Sequence, residues 1–331
     1  MNYLIYVSIL TLLLSGCSKG HKSPENTLPI MAGAWSVSVE TKSAFEDQVS
    51  SANPLTAKVE VSTVSGNYSN PYTSGTITFS GLNAAPFNSD VTGETTYPVG
   101  NHHIYLYGCY PAAGWITSGG SASCAFSGTQ DVMYAPQLYS AKESAIAGNY
   151  PMLVFSHLLT LLEIHVIAEN PAAQSAWGNL TGITLTQAAG KEFANTVQVN
   201  LSDAEVIPRY TGTSGIWNVF TANDAVFTAQ SLSLPVVPQT STFAAYTLVA
   251  PVMATGNNDF TLSVKTTGTG TPVSITDIPI NLKDTQGLPF TGSTIGKKFK
   301  ISLTFCASFI QAGAQVTPWK NGGSAGADVD F

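Results

Sequence analysis

The chain's literal match to a catalytic motif is Gly322-Gly-Ser-Ala-Gly326. A G-x-S-x-G serine acts as a nucleophile when a strand precedes it, a helix follows, and an acid and a histidine come later. The five residues after Gly326 contain no histidine, and the surrounding stretch is rich in Gly and Ser, so Ser324 reads as a chance match. His102 and His103 are adjacent; on a strand they would face opposite sides and could not simply share a metal. His157 and His165 sit in an apolar run without a Cys or carboxylate at metal-ligand spacing, and read as structural histidines. Asp131, Glu143, Asp203, Asp224, Asp277 and Asp284 are scattered, and sequence alone pairs no two of them for acid–base work. No Gly-rich phosphate loop lies between a strand and a helix. The residue pattern therefore predicts no catalytic residue, no metal site and no cofactor.

The four cysteines divide three ways. Leu4–Leu14 is an apolar core too short to span a bilayer, and it leads into Leu14-Ser-Gly-Cys17. This resembles the lipobox of bacterial lipoprotein precursors, with Cys17 as the lipidated N-terminus of a membrane-anchored mature chain. Cys109 and Cys124 flank a Gly- and Ser-rich stretch. An oxidising compartment would permit a bridge between them, worth about 3 kcal/mol, and two separate free thiols are the equal alternative. Cys306 lies in a strand and reads as a small packed thiol.

The elements that would position these groups are strands. Charged residues make up 10% of the chain, against about 25% in ordinary domains, while 44% is hydrophobic. Ser, Thr, Asn and Gly carry the polarity, as suits an extracytoplasmic all-β protein. The net charge of −7 and the single Arg209 argue against nucleic acid, which requires clustered cations. Length gives a prior of two domains. Period-two runs predict strands at 57–64, 74–79, 97–111 and 131–136, then at 180–186, 196–201, 232–237, 247–252 and 259–266. Trp35–Glu40 alternates briefly. The apolar run Leu153–Val166 has the length of a buried helix, but its alternation favours a long, bent strand. The pattern resets near Ala147-Gly-Asn-Tyr-Pro151. The divisions expected are a signal segment 1–17, a tether with a removable first strand 18–42, an N-terminal β-sandwich 43–148, and a C-terminal β-sandwich with a tail 149–331.

Several stretches, in order along nearly the whole chain, resemble the fimbrillin family of Bacteroidetes, the precursors of type V pili, and its Mfa-like branch in particular. They are the lipobox at Cys17, Glu40-Thr-Lys-Ser-Ala-Phe45, Tyr97-Pro with Ile104-Tyr-Leu-Tyr-Gly-Cys-Tyr-Pro111, Asp131-Val-Met-Tyr-Ala135, Phe155-Ser-His-Leu-Leu-Thr-Leu-Leu162, Gly296–Phe305 and Thr317–Gly323. The resemblance implies two transthyretin-like antiparallel β-sandwich domains in tandem and a non-enzymatic role in a pilus and in adhesion at the outer membrane. It also implies donor-strand exchange, in which a protease removes the first strand and a neighbouring subunit's strand fills the groove. Carried onto this chain, the cut falls at Lys42–Ser43, while the alternative is that Lys42 is a solvated charge. Processing in the family is commonly arginine-directed, and Arg209 lies far downstream. The partners implied are other pilus subunits, the membrane through the lipid on Cys17, and a surface ligand. The alternative is a monomeric outer-membrane lipoprotein binding glycan or host protein through Tyr105, Tyr107, Trp115 and Trp217.

The most regular run is Phe299–Phe309, apolar at every second residue, which predicts a permanent strand of the second sandwich. The stretch from Gln311 onward is the candidate exchange tail. Val316 and Trp319 are its large apolar groups before Val329 and Phe331, and Gly313, Pro318, Gly322, Gly323 and Gly326 interrupt it. The chain is expected to receive a strand better than it gives one, as a tip or adhesin-like component would.

Overall fold

The computed structural model describes residues 28–35, 49–51, 54–81, 83–90, 94–187, 192–201, 208–212, 217–221, 231–237 and 241–317. Those residues form an all-β protein with two short helices. The first part of the chain supplies β1 (Met31–Trp35), β2 (Leu55–Ser62), β3 (Thr73–Phe79), β4 (Ala85–Ser89), β5 (His103–Tyr110), β6 (Trp115–Ser118), β7 (Ser121–Ala125) and β8 (Met133–Ala141). Helix α1 (Lys142–Ile146), β9 (Met152–Val154) and β10 (Ser156–His157) follow. One eight-stranded path runs β10-β8-β5-β2-β3-β4-β1-β9. Its alternating residues Leu55, Ala57, Val59, Ile77, Phe79, Ile104 and Leu106 are fully buried and share one core with Phe87, Leu153 and Phe155. This sheet continues past residue 148 to His157, into the stretch expected to open the second sandwich.

The rest of the chain supplies β11 (Thr160–Ala168), α2 (Pro171–Trp177), β12 (Asn179–Gln187), β13 (Thr196–Asn200), β14 (Arg209–Thr211), β15 (Trp217–Thr221), β16 (Leu232–Ser233) and β17 (Thr242–Val249). It ends with β18 (Met253–Ala254), β19 (Phe260–Thr266), β20 (Val273–Ile280), β21 (Leu282–Lys283), β22 (Gly292–Ser293), β23 (Lys298–Phe305) and β24 (Ile310–Thr317). Two five-stranded sheets, β17-β11-β23-β24-β21 and β15-β12-β19-β20, bury their inner faces in one core. The expected bent strand over Leu153–Val166 is divided into β9, β10 and β11, with Phe155 alone between the first two.

A smaller sheet, β14-β13-β7-β6, joins the two parts. The hairpin β6–β7 pairs with β13 over five residues, from Thr196 opposite Ala125 to Asn200 opposite Ser121. Its other side is held to the first sheet by polar contacts: Glu60 lies 2.7 Å from Lys58 and accepts from the Thr117 hydroxyl at 2.7 Å. Tyr107 reaches the same hydroxyl at 3.1 Å.

The run opening at Phe299 behaves as its alternation requires up to Phe305: Phe299, Ile301, Leu303 and Phe305 are all at 0% exposure. It ends there rather than at Phe309. Cys306 N–H donates to the Phe309 carbonyl at 2.8 Å, closing a tight turn, and Phe309 is exposed. The Trp177 indole fixes this turn by donating to the Cys306 carbonyl at 2.5 Å.

Candidate functional site

Strand β1 is the element with functional geometry. Its central residues Ala32-Gly-Ala34 carry little hydrophobic bulk, and the backbone is paired on both sides. Met31 and Ala32 pair antiparallel with Pro86 and Ala85 of β4, and Gly33, Ala34 and Trp35 pair parallel with Met152, Leu153 and Val154 of β9. Further bonds lengthen the grip. Ile30 N–H donates to Thr95 O at 2.9 Å, Phe87 N–H to Ile30 O at 3.0 Å, Tyr97 N–H to Leu28 O at 3.0 Å, and Gly33 N–H to Pro151 O at 2.9 Å. Ile30, Ala32 and Ala34 project into the core at 0% exposure.

The topology gives this short strand unusual leverage. The eight-stranded path begins at β10 and ends at β9, two pieces of the same segment, Met152–His157. The sheet therefore closes on itself, and β1 is the link between β4 and β9. Withdrawing β1 would leave two unpaired backbone edges facing a row of apolar side chains, which is the geometry that accepts an added strand.

The residues singled out from the sequence fall variously. Cys17, Lys42, Ser43 and Trp319 lie outside the described residues, as do Ser36–Glu40 of the brief alternation; the strand described begins earlier, at Met31. Val316 is a correction to the idea of a free tail from Gln311. It belongs to β24 and sits opposite Phe299 in an eight-pair antiparallel ladder with β23. A donor tail must start after Thr317. Cys109 and Cys124 are free buried thiols, one on β5 and one on β7. Burial pushes the Cys124 thiol up to about 11 and Cys109 well above the ordinary thiol range. Both thiols are held in the unreactive protonated form.

Of the aromatics considered as a ligand platform, Tyr107 and Trp115 are core residues at 0% and 6% exposure. Tyr105 is half-buried and meets His103 and Tyr139 with ring centroids 5.4 and 5.7 Å away. Tyr139 is 57% exposed.

Two groupings of titratable side chains escaped sequence reasoning because their members are joined by the fold. His157 Nδ1–H donates to Asp131 Oδ2 at 2.6 Å, with both side chains buried, and Val132 N–H donates to Asp131 Oδ1 at 2.8 Å. On β11, Glu163 lies 2.9 Å from Lys298 Nζ and 3.6 Å from His165 Nε2. Burial pushes the Glu163 carboxyl up. The hydrogen bonds and charges of His165 and Lys298 outweigh it and hold the group below its ordinary range. A depressed carboxyl contributes stability above its unfolded pKa and loses it as pH falls through the folded one. Glu163→Gln should therefore cost about 1 kcal/mol at neutral pH. The difference from the parent should disappear below about pH 3. Urea titrations at several pH values check this; a cost that stays constant down to acid pH would assign it to packing alone.

The arrangement thus defines an all-β protein with one sheet closed by a single short strand. Solved structures share the fold. A Bacteroides uniformis protein assigned to cell adhesion superposes with a TM-score of 0.55 at 16% identity, covering 88% of this chain and 98% of its own. A similarly assigned protein from Bacteroides ovatus gives 0.52 at 12%, covering 88% and 97%. A fimbrial protein from Bacteroides vulgatus gives 0.51 at 14%, covering 88% and 99%. No protein-family model and no curated protein sequence matches the chain. At these identities the likeness is one of fold, and it agrees with the fimbrillin resemblance carried by the sequence.

Proposed function

We propose that this chain is a non-enzymatic fimbrial subunit, or an accessory tip or adhesin-like component. It assembles on the cell surface by donor-strand exchange and contributes to adhesion. The observation that carries this reading is that, among the described residues, β1 alone links β4 to β9, and that Lys42 follows it within seven residues. Cutting after Lys42 would free β1 from the chain, and a neighbouring subunit's strand would restore the two ladders. The fold neighbours from cell adhesion and fimbriae support the same reading. Two transthyretin-like sandwiches in tandem belong to it as well, as does delivery to the outer membrane through lipid on Cys17.

The test is the state of the protein on cells. Surface material should begin at Ser43 and run as SDS-resistant, heat-labile ladders. Material that is monomeric and starts only at lipidated Cys17 would sink the exchange mechanism. The glycan- or host-protein-binding alternative has one observation in its favour, the mutual contact of His103, Tyr105 and Tyr139. Binding on a sugar array that Tyr139→Ala abolishes would favour it.

A further inference from the structure

Where β12 ends and β19 begins, the second part of the chain holds an open cavity of about 390 Å³, within the range of roughly 300–1,000 Å³ usual for small-ligand sites. Gln187, the last residue of β12, forms one wall. Pro251, Val252 and Met253 form an apolar ledge, and Met253 is 73% exposed. The remaining wall is the loop Thr255–Asp259, whose own bonds fix its shape. Asp259 is buried; its Oδ1 accepts from Thr255 N–H at 2.7 Å and its Oδ2 from Leu282 N–H at 3.0 Å. The Thr255 hydroxyl donates to the Asn257 carbonyl at 3.1 Å. Asn258 stands in the left-handed region at φ 48°, where its N–H donates to Asn281 Oδ1 at 2.5 Å. Gly256 turns at φ 73° with Pro289 behind it, and a Cβ there would lie 2.4 Å from the Pro289 Cβ. Within this fixed frame the side-chain amides of Gln187 and Asn257 have no hydrogen-bond partner among the described residues.

We infer that this cavity is a binding site for a neutral saccharide unit. A side-chain amide both donates and accepts in one plane, as a pair of neighbouring sugar hydroxyls does. Gln187 and Asn257 present two such groups from separate elements. The ledge of Pro251, Val252 and Met253 offers the apolar surface that the C–H face of a sugar ring covers. Charge selects against other small ligands. Asp259 is the one ionisable residue of the described lining, and both of its oxygens already accept backbone N–H groups, so it is not free to hold a cation. No described lysine or arginine lines the cavity to hold an anion. A loop already fixed in shape loses little freedom when a ligand arrives, so neutral hydrogen bonds suffice. This rests on the adhesive part of the function proposed above and gives it a ligand class. It requires no strand exchange, and it lies on other elements than the cluster of His103, Tyr105 and Tyr139 on β5 and β8.

The test is binding of the full chain to an array of neutral and sialylated oligosaccharides, followed by calorimetry with the best neutral one. The parent should bind neutral glycans. Gln187→Ala and Asn257→Ala should each weaken that binding by ~10-fold or more with the melting temperature unchanged, and Tyr139→Ala should leave it as it is. If one amide variant folds poorly, the other still reads the site, because the two amides come from different elements. Binding confined to sialylated glycans, or to none, would overturn the site. Binding that both amide variants retain, or that Tyr139→Ala abolishes, would overturn it as well. SDS-resistant ladders from cells whose protein binds no glycan would remove the site and leave the fimbrial reading standing. Amide-dependent saccharide binding by a chain that never forms ladders would keep the site and bring down the fimbrial reading.

Discussion

His157→Ala should destabilise the folded chain by about 3–5 kcal/mol. Asp131 is at 0% exposure, and apart from His157 its carboxyl is met by the backbone N–H of Val132. Deleting the imidazole removes its partner at 2.6 Å and leaves a buried carboxyl facing a void. Desolvating a polar group that has lost its partner is among the larger penalties a single substitution can impose. The location magnifies the effect. Ser156 and His157 pair with Tyr134 and Met133 of β8, and Leu158 N–H donates to the Val132 carbonyl at 2.9 Å. The pair thus pins the segment that turns from the first sheet into β11. Asp131→Asn keeps the size and one acceptor, so it should cost less than His157→Ala. Denaturant titration monitored by intrinsic fluorescence gives both values, and a loss under about 1 kcal/mol for His157→Ala would show that water replaces the imidazole without penalty.

The strand architecture was legible wherever one face had to be dry. Phe299, Ile301, Leu303 and Phe305 alternate with polar residues and are all fully buried, and Leu55–Ser62, Thr73–Phe79 and Phe260–Thr266 lie where period-two runs predicted strands. Strand formation driven by the backbone escaped. In β24 the sequence Gln-Ala-Gly-Ala-Gln shows no strong alternation, and its side chains are mostly half-exposed or exposed. Eight consecutive pairs with β23 nevertheless hold it, because ladder hydrogen bonds do not depend on side-chain bulk. β1 escaped for the same reason: Ala-Gly-Ala has almost no hydrophobic signal, and the alternation legible in the sequence starts only at Trp35, the last residue of the strand. Pairings between distant residues were illegible in principle. Asp131 and His157 are 26 apart, and nothing local marks either as the other's partner. The histidine's structural role could be read from its apolar surroundings, but its partner could not.

A chain that begins at Ser43 should lose most of its stability and regain it from a peptide. Losing Ile30, Ala32 and Ala34 from the core removes about 3–5 kcal/mol of apolar burial. That is a large share of the roughly 5–15 kcal/mol that holds an ordinary domain together. Two edges open at once, since β4 and β9 each lose a ladder. β9 is affected most, because β1 is the strand it pairs with. The exposed edges and the uncovered Phe87 and Leu153 invite pairing with any extended chain. The shortened protein should melt well below the full-length protein and self-associate at micromolar concentration. Adding a synthetic Leu28–Trp35 strand should return it to a monomer with a melting point close to the parent's. Such rescue separates loss of one removable strand from general damage to the fold, because a misfolded chain has no closed path for the peptide to complete. A Ser43 chain that stays monomeric and melts like the parent would mean that β4 and β9 close directly on each other. The closed sheet would then owe nothing to β1, and a cut at Lys42 would release a strand without creating a site.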